Sequence, residues 1–171
     1  LTEVSCIKSK DVDKNGNEIP CHGQLYYRGI NIRDIVSGFL GDNRSGFEET
    51  IYLLLFSKLP TEGELAEFCN QLSVYRSLPQ SFVRDMILKA PGKDMMNILS
   101  RCVLALYAYD ENPDDISTDN VLRQSLQLIA QFPMLAVYAY HSYQHYHLNN
   151  SLFIHYPKKE LNTAEHLLYM L

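Results

Sequence analysis

Apolar positions recur at helical spacing through most of the chain and alternate like strands only near its start. Val4-Ser5-Cys6-Ile7 and Gln24-Leu25-Tyr26-Tyr27-Arg28 read as short strands, with period-two patterning. Between them Asn15-Gly16 marks a tight turn, because both residues tolerate positive φ. The pattern therefore predicts a small β-hairpin over residues 1–30 and a helical remainder over 31–171. Asn31 caps a short helix through Phe39. Ser45-Gly46-Phe47-Glu48 has the form of a capping box, in which the serine oxygen and the glutamate carboxylate satisfy orphan amides. The helix after it carries Phe47, Ile51, Leu54 and Leu55 on one side and Tyr52, Leu53 and Phe56 on the other, so it is expected to be buried nearly all round and to stop near Pro60.

Thr61-Glu62-Gly63-Glu64 is a second capping box, followed by Leu65, Phe68, Cys69, Leu72 and Tyr75 at i, i+3, i+4 spacing. Pro79 ends that helix, and a short one is expected over Ser81–Leu88. Met95, Ile98, Leu99, Cys102 and Leu106 stripe a helix over 93–109. Ser117 or Thr118 starts the longest element, to about His147, with Pro133 expected to kink it. Leu152–Pro157 reads as extended, and Asn162 or Thr163 caps a final helix.

Hydrophobic residues make up 46% of the 171 positions, enough for a real core, which excludes a disordered chain or a disulfide-dependent miniprotein. The formal net charge of -5 offers no cationic surplus for a phosphate backbone, so nucleic acid is not an expected partner. The longest near-apolar run, Ile51–Phe56, is far below the roughly 20 residues that span a bilayer, so no membrane role is expected. Cys6, Cys21, Cys69 and Cys102 form no C-x-x-C pair, and Cys69 and Cys102 sit in apolar helical stretches suited to buried thiols. Without a signal sequence, a reduced cytoplasmic setting is expected. Leu1-Thr2-Glu3-Val4 and Leu167-Leu168-Tyr169-Met170-Leu171 both read as cut ends, so a fragment of a longer protein is expected.

The residues give no catalytic, cofactor-binding or metal site. Asp11, Asp13, Asn15 and Gly16 half-match a calcium loop, but its twelfth position is His22 rather than a carboxylate. His141 and His145 are one helical turn apart, with His147 near, yet no carboxylate or cysteine joins them, and a polar or interface face is expected. Cys21 and His22 are adjacent on a strand and point to opposite faces. His155 and His166 have no partner that spacing identifies. Glu48-Glu49 at a helix start and Asp114-Asp115 in a loop read as structural. The many tyrosines suit amphipathic surfaces and interfaces.

One ordered set of segments changes this picture. Gly23-Gln24-Leu25-Tyr26-Tyr27-Arg28-Gly29-Ile30-Asn31-Ile32, then Phe47-Glu48-Glu49-Thr50-Ile51-Tyr52-Leu53-Leu54-Leu55, then Leu59-Pro60-Thr61 with Glu64-Leu65, resembles the N-terminal half of a citrate synthase. Leu128-Ile129-Ala130-Gln131-Phe132-Pro133 and Leu161-Asn162-Thr163-Ala164-Glu165-His166-Leu167-Leu168-Tyr169-Met170-Leu171 resemble later family segments, and the bacterial branch of Gram-positive anaerobes is the most similar in pattern. The resemblance implies an all-α fold, the N-terminal part of the large helical domain with the hairpin before it, truncated before the catalytic segments.

It further implies a cytoplasmic homodimer that condenses acetyl-CoA with oxaloacetate to give citrate and CoA. The alternatives are a 2-methylcitrate synthase using propionyl-CoA, or a non-catalytic helical dimerisation module. The family's catalytic histidines lie in His-Gly-Gly and Gly-x-Gly-His motifs, which none of the six histidines here matches. The fragment alone is therefore expected to be inactive. Arg28 is expected to anchor a helix end or a carboxylate. The helices over 93–109 and 117–147 are expected near the two-fold interface. Gly92-Lys93-Asp94-Met95 departs from the family's frequent His-Pro-Met start.

Overall fold

Three strands open the chain. A computed structural model describes residues 3–171; of the N-terminal segment read as a cut end, Leu1 and Thr2 lie outside the described residues. β1 (Ser5–Val12) pairs antiparallel with β2 (Glu18–Tyr27), from Ser5 opposite Tyr27 to Val12 opposite Glu18, with an irregularity between Lys8 and Lys10. The turn centres on Gly16, at φ 84°. The Asp13 carboxylate accepts from the amides of Asn15 and Asn17, both at 2.8 Å, an Asx turn that locks the loop.

The expected hairpin acquires a third strand, β3 (Ile30–Asn31), which adds to β2 through Tyr27 opposite Ile30. Arg28 (φ 47°) and Gly29 (φ 82°) form the two-residue link. Two positive φ values in a two-residue hairpin are the type I′ pattern, whose twist suits the flanking strands.

Asn31 then caps α1 (Ile32–Gly41), its side chain accepting from the Arg33 amide at 2.9 Å, and the helix runs two residues past Phe39. α2 (Phe47–Phe56) departs from expectation twice. Its N-cap is Gly46, with no side-chain cap, because the Ser45 hydroxyl donates to the Glu48 carboxylate at 3.1 Å instead of accepting from the backbone. Nor is it buried all round: Phe47 and Phe56 are 46% and 37% exposed, and the buried positions are Glu48, Glu49 and Leu53. The second capping box forms in full. The Glu64 amide donates to Thr61 Oγ1 (3.3 Å) and the Thr61 amide to the Glu64 carboxylate (2.8 Å), at the start of α3 (Glu62–Tyr75). Lys58 first, then Thr61, pulls the Glu64 carboxyl down to about 2. Tyr52, Phe56 and Phe68 make a tilted and edge-on aromatic cluster, with ring centroids 4.6–6.1 Å apart.

The chain divides by compactness at Cys69/Asn70, within α3, into two units. In the second, a π-helical turn (Val83–Leu88) takes the place of the short helix expected over Ser81–Leu88. α4 (Met95–Leu106) is capped by Asp94, whose carboxylate accepts from the Asn97 amide at 3.1 Å. The departure from His-Pro-Met therefore supplies this helix with its own cap. α5 (Thr118–Leu148) starts from Ser117 and continues through Pro133. Leu152–Pro157 forms no strand, although the Tyr138 hydroxyl donates to the His155 carbonyl and fixes that stretch at 2.7 Å. α6 (Thr163–Met170) carries a complete capping box between Asn162 and Glu165.

The core of this unit joins Phe82 and Ile87 to Ile98, Leu99 and Cys102 of α4, to Met134, Leu135, Val137 and Ala139 of α5, and to Met170 of α6. Each fully buried Val, Leu, Ile, Phe or Met side chain among them is worth about 1.5–3 kcal/mol relative to exposure. Cys102 is fully enclosed, and burial pushes its thiol up; Cys69 is only half-buried, since it lies beside rather than on the stripe of Phe68 and Leu72.

Candidate functional site

The candidate residues separate into groups already committed to backbone and groups that no spacing marked. Arg28 anchors a helix end: its Nε and Nη2 donate to the Leu54 carbonyl of α2 at 3.1 and 2.8 Å, where a last-turn carbonyl lacks a helical partner. At the other end of α2, Glu49 pairs with Arg44, and Glu48 accepts from Ser45. Both carboxylates lie at the positive end of the helix dipole. Asp11 accepts from its neighbour's amide and pairs with Lys8, and Asp13 is spent on the turn. Backbone donation, from Val12 to Asp11 and from Asn17 to Asp13, holds both carboxyls below the usual range. The half-matched calcium residues thus build the hairpin turn.

In the second unit, the histidines that share a helix face by spacing are drawn to different partners. His141 is buried, and its Nε2 lies 3.1 Å from the Met170 carbonyl at the end of α6. His145 turns its Nδ1 to the Asn150 carbonyl at 2.8 Å, beside the left-handed cap at Asn149. His141 is therefore a packing residue rather than part of a polar surface. Cys21 Sγ lies 3.9 Å from the Lys8 carbonyl, and His22 is exposed. Asp114 accepts from the Tyr107 hydroxyl just after α4, and Asp115 accepts from the Ser117 amide and hydroxyl at the start of α5. Among the described residues no group of three His, Cys, Asp or Glu side chains could hold a metal ion, and no helix is long and apolar enough to cross a membrane.

Spacing did not mark three features. Arg76 is 3% exposed and donates to the carbonyls of Lys158 (3.2 Å) and Leu161 (2.5 Å) and, at 3.5 Å, to Thr163 Oγ1. His166 is 1% exposed, its Nε2 has no hydrogen-bond partner, and burial first and the Arg76 charge second lower its pKa. Arg123 grips the Asp110 carboxylate at 2.7 and 2.8 Å, beside a cavity of about 190 Å³. These partners lie 82 to 87 residues apart for Arg76, which leaves no local signal. His166 likewise meets Arg76, 90 residues earlier, so no local pattern marked it.

The larger cleft, about 570 Å³, is walled by apolar groups such as Leu78, Phe82, Met134 and Ile154. Its one charged lining group, Arg84, is bonded to Asp85. The Tyr138 hydroxyl on its wall is pushed up to about 12 by burial. Such a lining excludes water and packs apolar matter; it presents no carboxylate or imidazole for proton transfer.

Across residues 1–171 the chain matches the family model described as citrate synthase, C-terminal domain. The chain belongs to the citrate synthase family. It is 32% identical over 118 residues to the citrate synthase of Saccharolobus solfataricus, covering 69% of this chain and 29% of that protein. It is 31% identical over 118 residues to 2-methylcitrate synthase 1 of Corynebacterium glutamicum, covering 68% and 29%. The crystal structure of citrate synthase from Pyrobaculum aerophilum superposes with a TM-score of 0.71 at 26% identity, over 99% of this chain and 39% of that one. The chain thus spans under a third of the length of those two curated relatives. The mostly helical architecture with its small N-terminal sheet is that of the citrate synthase fold.

Proposed function

We propose that this chain is the scaffold portion of an enzyme that condenses acetyl-CoA with oxaloacetate to give citrate and CoA, and that it contributes packing and dimer contacts rather than reacting groups. The observation that carries this reading is the family match along the whole chain. The reading places the enzyme in the cytoplasm as a homodimer, with residues 1–30 and 31–171 as hairpin and helical segments of one large domain. A second reading, 2-methylcitrate synthase with propionyl-CoA, is favoured by the comparable identity to the Corynebacterium protein. Kinetics of the longer polypeptide with both acyl-CoAs decide between them: the higher kcat/KM identifies the natural thioester, and turnover of neither overturns both readings.

The dimer contact has a specific surface. Met96 and Leu104 of α4, and Tyr107 just after it, are 68%, 76% and 55% exposed. On α5, Val121, Leu128 and Phe132 repeat at i, i+7 and i+11 and are 46%, 36% and 42% exposed. Contiguous exposed apolar stripes mark protein interfaces. Light scattering on the chain is expected to give twice the monomer mass. The double variant Leu104→Glu/Phe132→Glu is expected to give the monomer mass with its helical circular dichroism intact. A monomeric unmodified chain contradicts the assignment.

A further inference from the structure

The buried face of α6 consists of Thr163, His166 and Met170, at i, i+3 and i+7. Met170 belongs to the hydrophobic core, and Thr163 meets the Arg76 guanidinium. His166 lies between them on the same face, sealed from solvent, with no acceptor at Nε2. A neutral imidazole tolerates that position at the cost of one unmade hydrogen bond. An imidazolium would need an acceptor for its second N–H and a compensating negative charge.

Among the described residues, the neighbouring groups named here supply neither to His166. Arg76, immediately after α3, is the charged group whose field acts on His166, and its sign is the same. From α5, His141 faces α6 and already engages the Met170 carbonyl. From the loop before α6, the His155 ring and the Lys158 ammonium face Tyr169, at 5.3 and 4.2 Å from its ring, while Lys159 and Glu160 are exposed. On α6 itself, Glu165 is exposed, and its carboxylate is committed to the Asn162 amide.

We propose that His166 is a pH-operated latch on α6: while neutral it lets the helix dock, and once protonated it sets a second cation against Arg76 without an acceptor and releases the helix. The sign follows from linkage. The docked state resists the proton, and the released state takes it up near the ordinary histidine value of 6.5. Docking is therefore at full strength above about pH 6.5 and weakens as the pH falls below it. The latch is independent of the enzymatic reading, since it concerns the chain's own packing.

Amide hydrogen exchange on the 171-residue chain tests it, from about pH 7.5 to about pH 5, corrected for intrinsic exchange. Amides of Leu167–Met170 are expected to lose protection about 10-fold or more across that range, while those of Ile98–Cys102 in α4 keep theirs. The variant His166→Asn is expected to hold α6 protection flat over the same range. Unchanged protection in the unmodified chain, or the same loss in His166→Asn, overturns the latch. Should that variant fail to fold, the NMR titration of the His166 ring in the unmodified chain decides. Protonation in step with loss of α6 protection supports the latch, and a ring that titrates near 6.5 with α6 still protected overturns it.

Discussion

Replacing Arg76 with leucine is expected to destabilise the second unit by about 2–4 kcal/mol, because the carbonyls of Lys158 and Leu161 then lose a charged donor in a buried place. The guanidinium suits this position: it is planar, carries five donors, and ties the end of α3 to the loop that leads into α6. Lysine keeps the charge but reaches fewer acceptors, so Arg76→Lys is expected to fall between the two. Urea unfolding followed by circular dichroism measures the difference. A midpoint for Arg76→Leu within error of the unmodified chain would show that the loop is held by other contacts.

Truncating Phe82 to alanine is expected to cost about 3–5 kcal/mol. The ring is fully buried and meets Tyr109 edge-on at 5.6 Å, so both transfer energy and an aromatic contact are lost. It also lines the 570 Å³ cleft, which gives neighbouring side chains room to relax and places the cost toward the lower end of that range. Leu168→Ala is the matched control. Leu168 is 77% exposed on α6, and its truncation is expected to change stability by less than about 0.5 kcal/mol. Thermal unfolding of the two variants side by side checks the contrast, and equal effects would contradict the assigned core.

Legibility from sequence followed the range of the interaction. The caps at Asn31, Thr61 and Asn162 use atoms within three residues, and each forms where the pattern predicts it. Ser45-Gly46-Phe47-Glu48 shows the same spelling with a different outcome, because its serine donates to the carboxylate and leaves Gly46 as the cap. Amphipathic spacing located the core stripe of α4, while it overstated the burial of α2, since apolar residues all round a helix do not by themselves supply neighbours. β3 was missed because arginine at the first turn position is not a turn marker, and Gly29 alone carried the signal. The partners of Arg76, His141 and His166 depend on how distant segments meet, which no local pattern encodes. Candidate chemistry followed the same rule: carboxylate pairs and histidine spacings could be found by eye, but their commitment to backbone amides and carbonyls needed the fold.

As proposed, this polypeptide supplies the scaffold and not the reacting groups of a citrate-forming enzyme. The most direct test is a thiol-release assay on the purified 171-residue chain, mixed with acetyl-CoA and oxaloacetate. CoA release is expected at the rate of the protein-free control. Citrate formation above that control, scaling with the concentration of the chain, would contradict the proposal.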